Sequence, residues 1–145
     1  MKTTKIIYGG PNMILRGVGV RILANDIPTL YDFYTEKLGV KVFWGDRNGQ
    51  YVSFAEADGD KPAFSIFLKT AMADYKGYIP LVEQNKSDQV VYCTGLDDVD
   101  AFYDELRNKG VEFMGEPQNI PGWQIRCVYF RDPEGNLFEI AGVMK

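Results

Sequence analysis

The chain has 145 residues, a length typical of one domain and sufficient to bury a real core. Its 16 Lys and Arg against 20 Asp and Glu give a net charge of -4 without any prominent basic run, so nucleic acid is not an expected partner. The chain has no histidine, which excludes Ser-His-Asp and Cys-His nucleophile systems and every metal site built on imidazole.

The spacing of the cysteines and the lack of long apolar runs indicate a reduced compartment and no membrane segment. Cys93 and Cys127 lie far apart without CxxC spacing, so neither a disulfide framework nor a zinc knuckle is predicted. The N-terminus lacks an apolar region of signal-peptide length, and nowhere do roughly 18 apolar residues run together as a membrane span requires. We therefore expect a cytoplasmic protein that does not associate with a membrane.

Two similar segments organise the chain. Residues 26–40 align with residues 98–111 if one residue is skipped before the glycine, and Asp, Tyr, Asp, Lys, Gly and Val coincide. Each segment has an aspartate placed to cap a helix, an apolar stripe and a glycine at the end. The pattern predicts helices over residues 26–38 and 98–109.

Each predicted helix has one strand before it and three after it. Asn48-Gly49, Asp58-Gly59 and the run from Asp132 to Gly135 have the residue types of tight turns between strands. The sequence thus predicts an α+β fold in which the order βαβββ occurs twice. The predicted strands are 17–24, 40–46, 50–57 and 63–69 in module one, and 89–96, 111–114, 124–131 and 137–143 in module two.

We predict a single domain over residues 1–145. Module one covers about 15–70, a connection covers 71–87, and module two covers 88–144. The connection is longer than most and is either a linker with a short helix or a flap over a site. Residues 1–13 are predicted to form an arm.

Glu139 lies in a predicted strand with apolar neighbours. Alternation places it on one face with Leu137 and Ala141, while Phe138 and Ile140 lie on the other. A carboxylate in such surroundings usually requires a partner for its charge.

The twin βαβββ order, the stretch from Asp26 to Val40 and the run Arg131-Asp-Pro-Glu-Gly-Asn-Leu-Phe-Glu-Ile140 resemble the glyoxalase, bleomycin-resistance and extradiol-dioxygenase superfamily, or vicinal oxygen chelate proteins. The resemblance covers the chain from Gly17 to Val143. It implies two curved mixed sheets, or half-barrels, around a cavity, with one helix behind each sheet. Members often complete their cavities by pairing units, sometimes across two chains, so a homodimer is expected.

In metal-using members, the resemblance implies ligands on the first and last strands of each module. These positions fall on Gly19, Phe67, Val91 (or Gln89 if the register slips by two) and Glu139, and only Glu139 matches. One carboxylate cannot hold a catalytic divalent ion, since such sites need about three protein ligands. We expect neither a metal nor a cofactor.

Glu139 can then have three roles. It can be a strand carboxylate paired with Arg21 or Arg126, or solvated at the edge of a pocket. It can orient a ligand by accepting a hydrogen bond. It can also be catalytic, as a general base whose pKa is raised by desolvation, although no metal or evident electrophilic partner accompanies it.

Strand alternation also selects the residues around the expected cavity. The first strand contributes Gly19, Arg21 and Leu23, and the strand before the last turn contributes Cys127 and Tyr129. Trp44 and Trp123 lie where indoles often cover a pocket mouth, although packing remains the more common role of an aromatic side chain. The predicted ligand-binding residues are Gly19, Arg21, Phe67, Val91, Cys93, Trp123, Cys127, Tyr129 and Glu139.

The sequence therefore favours a metal-free protein that binds a small, partly aromatic organic molecule in a cavity lined by Phe67, Tyr129 and Glu139. Sequestration of a toxic compound, as in the bleomycin-resistance branch, is one version of this function. The alternative is a lyase or isomerase resembling glyoxalase I, with Glu139, Tyr129 and Arg21 as acid-base groups or with an unrecognised metal site. A ligand-sensing or structural partner domain is a third possibility.

Overall fold

The computed structural model describes residues 19–74, 76–79, 88 and 90–145. The predicted arm at 1–13 and the part of the predicted connection at 80–87 lie outside the described residues. Module one contains β1 (Arg21–Ala24), α1 (Ile27–Asp32) continued by a π-helix (Phe33–Lys37), β2 (Val42–Gly45), β3 (Tyr51–Ala55), β4 (Pro62–Leu68) and α2 (Lys69–Ala73). Module two contains β5 (Val91–Gly95), α3 (Val99–Asn108), β6 (Gln118–Ile120), a 3-10 turn (Pro121–Trp123), β7 (Ile125–Arg131) and β8 (Leu137–Gly142).

The eight strands form two four-stranded mixed sheets. The strand order is β1-β4-β3-β2 in the first sheet and β5-β8-β7-β6 in the second. The first strand of each module pairs in parallel with the last, and the remaining pairs are antiparallel. The predicted α+β fold of two βαβββ modules is confirmed.

Both main helices begin at the predicted aspartates. Asp26 Oδ1 accepts a hydrogen bond from the Thr29 N–H at 3.0 Å, and Asp98 Oδ1 accepts one from the Ala101 N–H at 3.0 Å, so each satisfies an otherwise unpaired backbone donor. The first helix differs from the prediction because only its first half is α-helical. Its second half is the wider π-helix, in which the consecutive residues Phe33 and Tyr34 are both buried.

The predicted strand at 111–114 is wrong. Phe113 makes only an isolated bridge with Phe130, and the third strand of module two is Gln118–Ile120. Phe113 is fixed by its ring instead, whose centroid lies 4.8 Å from that of Tyr103 and 5.5 Å from that of Phe130. The strand that does form contains Gln118 and Asn119, which lack the apolar alternation that predicts strands.

One hydrophobic core joins the two sheets. The ring centroid of Tyr34, in the π-helix, lies 5.3 Å from that of Phe54 and 5.1 Å from that of Phe64, both in the first sheet. It lies 6.0 Å from the ring centroid of Phe138 in the second sheet. Phe33, on the same segment, lies 6.3 Å from Phe130. Because each sheet turns one face to this shared core, its other face points outward. None of the described helices is long and apolar enough to cross a membrane.

The turn before β8 also contacts the start of α1. Glu134 accepts hydrogen bonds from the backbone N–H groups of Asn25 at 2.7 Å and Asp26 at 3.2 Å. The predicted turn is confirmed, since the Gly135 N–H donates to the Asp132 carbonyl at 2.9 Å and Gly135 has a φ of 86°. The strand that carries Glu139 is thereby fixed to module one.

Candidate functional site

Three side chains form a row across the outward face of the second sheet. Cys93 of β5 is the register partner of Glu139 of β8, which is in turn the register partner of Tyr129 of β7. The Tyr129 hydroxyl donates a hydrogen bond of 2.5 Å to Glu139 Oε2. Tyr129 and Glu139 are half-buried, and Cys93 is exposed. We call the outward surface around Cys93, Cys127, Tyr129 and Glu139 face B.

Within one chain the partner of Glu139 is therefore a tyrosine, and the predicted pairing with Arg126 is wrong. Arg126 donates from Nε to Asp100 Oδ2 at 2.7 Å and from Nη2 to Asp100 Oδ1 at 2.8 Å. The reason is strand parity, because Arg126 lies on the same face of β7 as the core residues Val128 and Phe130 and so points toward α3, away from Glu139.

The pKa values of two groups beside Glu139 are raised. The pKa of the Tyr129 phenol is raised, first because its hydroxyl donates to Glu139 and next because of burial. The pKa of the Cys93 thiol is raised by burial and by the nearby charge of Glu139. Near neutral pH both groups are hydrogen-bond donors, and the Cys93 thiol is a poor nucleophile because little thiolate forms.

Aromatic rings and one cation occupy the outward face of the first sheet. The Arg21 guanidinium lies over the ring of Tyr51, 5.3 Å from its centroid, and 5.7 Å from the centroid of Phe67. The Tyr51 centroid lies 6.1 Å from that of Phe67 and 5.7 Å from that of Trp44, which is 64% exposed. We call the outward surface around Arg21, Trp44, Tyr51 and Phe67 face A.

Tyr51 is absent from the predicted ligand-binding residues. Its signal in the sequence is weak, since it precedes Val52 and Phe54, two core residues that identify the inward face of β3. Alternation from those two residues would have placed Tyr51 outward, on the side of Phe67.

The other predicted site residues lie around the two faces. Gly19 precedes β1, is exposed, and has nothing within 4 Å of where a Cβ would lie. Val91 begins β5 and is 42% exposed. Cys127 is buried on face B, two residues before Tyr129. Trp123 is 67% exposed in the 3-10 turn.

The residues predicted to line one cavity lie on two different sheet faces of the chain. Phe67 lies on the outward face of the first sheet, Tyr129 and Glu139 on that of the second, and the shared core lies between the sheets. Two cavities of about 650 and 630 Å³ lie between the modules, and neither is lined by Glu139 or Tyr129. On face B, Cys93 is exposed, Tyr129 and Glu139 are half-buried, and Cys127 is buried.

The residues at the four metal positions of the superfamily do not fit a metal ion. Gly19, Phe67 and Val91 have no side-chain donor atoms, and Glu139 already accepts the hydroxyl of Tyr129. Gln89, the alternative to Val91, lies outside the described residues. Across residues 19–74, 76–79, 88 and 90–145, no three Cys, Asp or Glu side chains converge as a metal site would require.

Two mixed βαβββ sheets packed on a common core define a glyoxalase-like fold. Residues 18–140 match the model of the Glyoxalase/Bleomycin resistance protein/Dioxygenase superfamily, and the chain belongs to this family.

Relatives and solved structures agree with this assignment. The chain is 30% identical over 127 residues to the uncharacterized protein YraH of Bacillus subtilis, covering 83% of this chain and 93% of that protein. A glyoxalase/bleomycin resistance protein/dioxygenase from Nocardioides superposes with a TM-score of 0.72 at 23% identity, over 92% of this chain and 88% of that one. A lactoylglutathione lyase from Agrobacterium tumefaciens superposes with a TM-score of 0.64 at 21% identity, over 90% of this chain and 96% of that one. At such identities the two structures show the fold alone.

Proposed function

We propose that this protein binds a small, partly aromatic organic molecule between face B of one copy and face A of a second copy in a homodimer. The observation that carries the proposal is the row of Cys93, Glu139 and Tyr129, a polar constellation held on an outward sheet face. The binding needs no metal in this proposal. We place the protein in the cytoplasm, where free thiols such as Cys93 and Cys127 stay reduced.

The orientation of the two faces supports a site shared between copies. Ligand pockets commonly bury most of the surface of a small molecule, and one open sheet face supplies only one wall. A twofold dimer could place face A of each copy against face B of the other and so form two equal cavities. Trp44, 64% exposed in a single chain, would become covered in such a pairing.

The chemistry of face B suits a ligand with a hydrogen-bond donor. Glu139 Oε2 is occupied by the Tyr129 hydroxyl, so Oε1 is the oxygen that can accept a bond from a hydroxyl, an amide or a cation. The largely exposed ring of Trp44, which adjoins Tyr51 on face A, offers a surface for stacking.

The hydrogen bond between Tyr129 and Glu139 also favours a second candidate function, a lyase or isomerase without a metal. A carboxylate and a protonated phenol in contact could act as base and acid. Arg21, on the opposite outward face, could join them only from a second copy. Formation of lactoylglutathione by purified, dialysed protein, lost in both Glu139→Gln and Tyr129→Phe, would support this enzyme over a binding protein.

The proposed function is tested first by a thermal-shift screen. A small aromatic that binds the folded state raises the unfolding midpoint. We expect at least one hit whose effect is lost in Glu139→Gln, and light scattering should give twice 16.4 kDa at micromolar concentration. A lone 16.4 kDa species would exclude the shared site.

A complementation experiment tests the shared site directly. Arg21→Glu removes the cation of face A, and Glu139→Gln removes the carboxylate of face B. Each variant alone should therefore fail to bind the aromatic ligand found in the thermal-shift screen. In mixed dimers, one of the two cavities would combine the intact face A of one copy with the intact face B of the other. Unfolding and refolding the two variants together should therefore restore about a quarter of the sites. No recovery despite mixed dimers would show that each site belongs to one chain.

A further inference from the structure

We propose that Arg21 anchors the carboxylate of an aromatic acid, which makes such acids the ligand class of face A. The inference rests on the proposed function, because it names the ligand of the same site.

Arg21 differs from the arginines that form ion pairs. Within the described residues it has no carboxylate partner, and its side chain lies on the outward face of the sheet rather than against a helix. The paired arginines each contact one aspartate, in the pairs Arg47–Asp32, Arg126–Asp100 and Arg131–Asp88. A guanidinium that is held in place without an anion can take the anion from a ligand.

Two aromatic rings of face A lie close to the Arg21 cation. The guanidinium carbon lies within 6 Å of two ring centroids, at 5.3 Å from Tyr51 and 5.7 Å from Phe67, which is the range of a cation–π contact. A guanidinium that lies over a ring leaves its in-plane N–H donors able to bind both oxygens of a carboxylate. The contact with the rings thus prepares Arg21 for a planar anion.

Two hydroxyl groups lie beside this cation on face A. Ser65 of β4 is the register partner of both Arg21 of β1 and Ser53 of β3. Both serines point away from the core, since Ile66 and Val52 occupy the inward side of their strands. Both residues are only 6% exposed, so they form the floor of face A beneath Arg21 and not a contact surface for the ligand.

The aromatic part of the ligand follows from Trp44. This indole adjoins Tyr51 and is largely exposed, so one of its faces is available for stacking. Asp46 lines the same shallow depression, but its Oδ1 accepts the Asn48 N–H of its own turn at 2.9 Å. A monoanion also suits a chain of net charge -4 better than a dianion such as a phosphate ester.

The experiment compares two probes of equal shape, 2-naphthoate and the neutral 2-naphthamide. The chain has two tryptophans, so a nitrogen-15 spectrum contains two indole N–H signals, and Trp44→Phe assigns them. We expect naphthoate to shift the Trp44 signal saturably, with an affinity about ten-fold above that of naphthamide, because a charge-assisted bond is gained. Added salt should reduce this preference, since Arg21 is exposed.

Two substitutions separate the charge from the shape of Arg21. Arg21→Gln should bring the two probes to equal affinity, while Arg21→Lys should keep part of the preference. Arg107, which lies over the Tyr103 ring on α3, gives a matched control, and Arg107→Gln should change nothing. Equal affinity for both probes in the unsubstituted protein, a preference that survives Arg21→Gln, or no response of the Trp44 signal to naphthoate would each overturn the inference.

The outcome can be distinguished from failure of the proposed function. If neutral or cationic aromatics bind with a dependence on Glu139 while naphthoate shows no preference, the binding site stands and the role of Arg21 is rejected. If no aromatic of any charge depends on Glu139, the proposed function itself fails.

Discussion

The hydroxyl of Tyr34 donates a hydrogen bond of 2.7 Å to Oδ2 of Asp132 and so connects the first helix to the turn before β8. Both residues are buried. Asp132 Oδ1 also accepts the backbone N–H groups of Glu134 and Asn136, each at 2.9 Å. Burial first, and the charge of Asp132 next, raise the pKa of Tyr34, so its proton stays available for this bond. One carboxylate thus organises the turn and holds the modules together.

The first prediction is that Tyr34→Phe lowers the free energy of unfolding by about 2 kcal/mol, because a buried carboxylate loses a donor and keeps its desolvation. Chemical denaturation monitored by circular dichroism measures the loss.

Tyr31 provides a matched control on the same helix. Its ring packs on Phe54 at 6.5 Å, and no hydrogen bond of its hydroxyl is found among the described residues. We expect Tyr31→Phe to change stability by less than about 0.5 kcal/mol. Equal losses in the two variants would mean that the ring of Tyr34, and not its hydroxyl, joins the modules.

The second prediction concerns the acid stability of module two. The Arg126 guanidinium beside Asp100 holds the pKa of that carboxyl well below its usual range, and Lys145 adds to the effect at 3.1 Å. A carboxyl whose pKa is lowered by folding stabilises the protein above its unfolded pKa of about 3.9, and this stability is lost as the pH falls toward the folded value.

Asp100→Asn should therefore reduce stability by about 1 kcal/mol at pH 7, and the difference from the unsubstituted protein should shrink as the pH falls below about 4. Denaturant midpoints at pH 7, 5, 4 and 3 measure it. Asp104, exposed on the same helix, serves as control, and Asp104→Asn should give a small and constant difference. A difference for Asp100→Asn that stays constant with pH would argue against the ion pair as its cause.

The sequence predicted the fold because its strongest local signals are repeated. Asp26 and Asp98 cap their helices, Gly39 and Gly110 follow them with φ of 67° and 86°, and the helices pack as the apolar stripes indicate. Such signals depend on neighbouring residues alone. The strand at Gln118–Ile120 could not be found in this way, because its pairing with β7 is set by tertiary contacts rather than by apolar alternation.

The candidate site was less predictable for a related reason. Alternation placed Glu139 and Tyr129 on one face, but it could not show that Phe67 lies on the opposite side of the core. The partner of Glu139 was missed because the sequence offered Arg21 and Arg126 as possible ion-pair partners, whereas strand parity directs Arg126 to Asp100. Both errors concern contacts between residues distant in sequence, which single-strand patterns do not encode.

The third prediction is that dialysed protein contains no stoichiometric nickel, zinc, iron or manganese. Three of the four ligand positions of the superfamily are Gly19, Phe67 and Val91, which cannot coordinate an ion through their side chains. Elemental analysis by mass spectrometry measures the content. One tightly held ion per chain would contradict this and favour the enzyme.

The last prediction returns to Glu139. In Glu139→Gln the amide oxygen can still accept the Tyr129 hydroxyl, so the free energy of unfolding should change by no more than about 1 kcal/mol. Affinity for a ligand with a hydrogen-bond donor should fall by about 1–3 kcal/mol, because a charge-assisted bond becomes a neutral one. Denaturation and ligand titration on this single variant measure the two effects.

A control carboxylate shows whether the effect is specific to face B. Glu116 is exposed in the segment before β6, and Glu116→Gln removes the same charge without touching the row. We expect it to leave both affinity and stability unchanged. If Glu139→Gln instead lost several kcal/mol of stability with unchanged affinity, Glu139 would be part of the scaffold, since only a structural carboxylate costs that much when its charge is removed. The binding site would then have to be sought elsewhere than on face B.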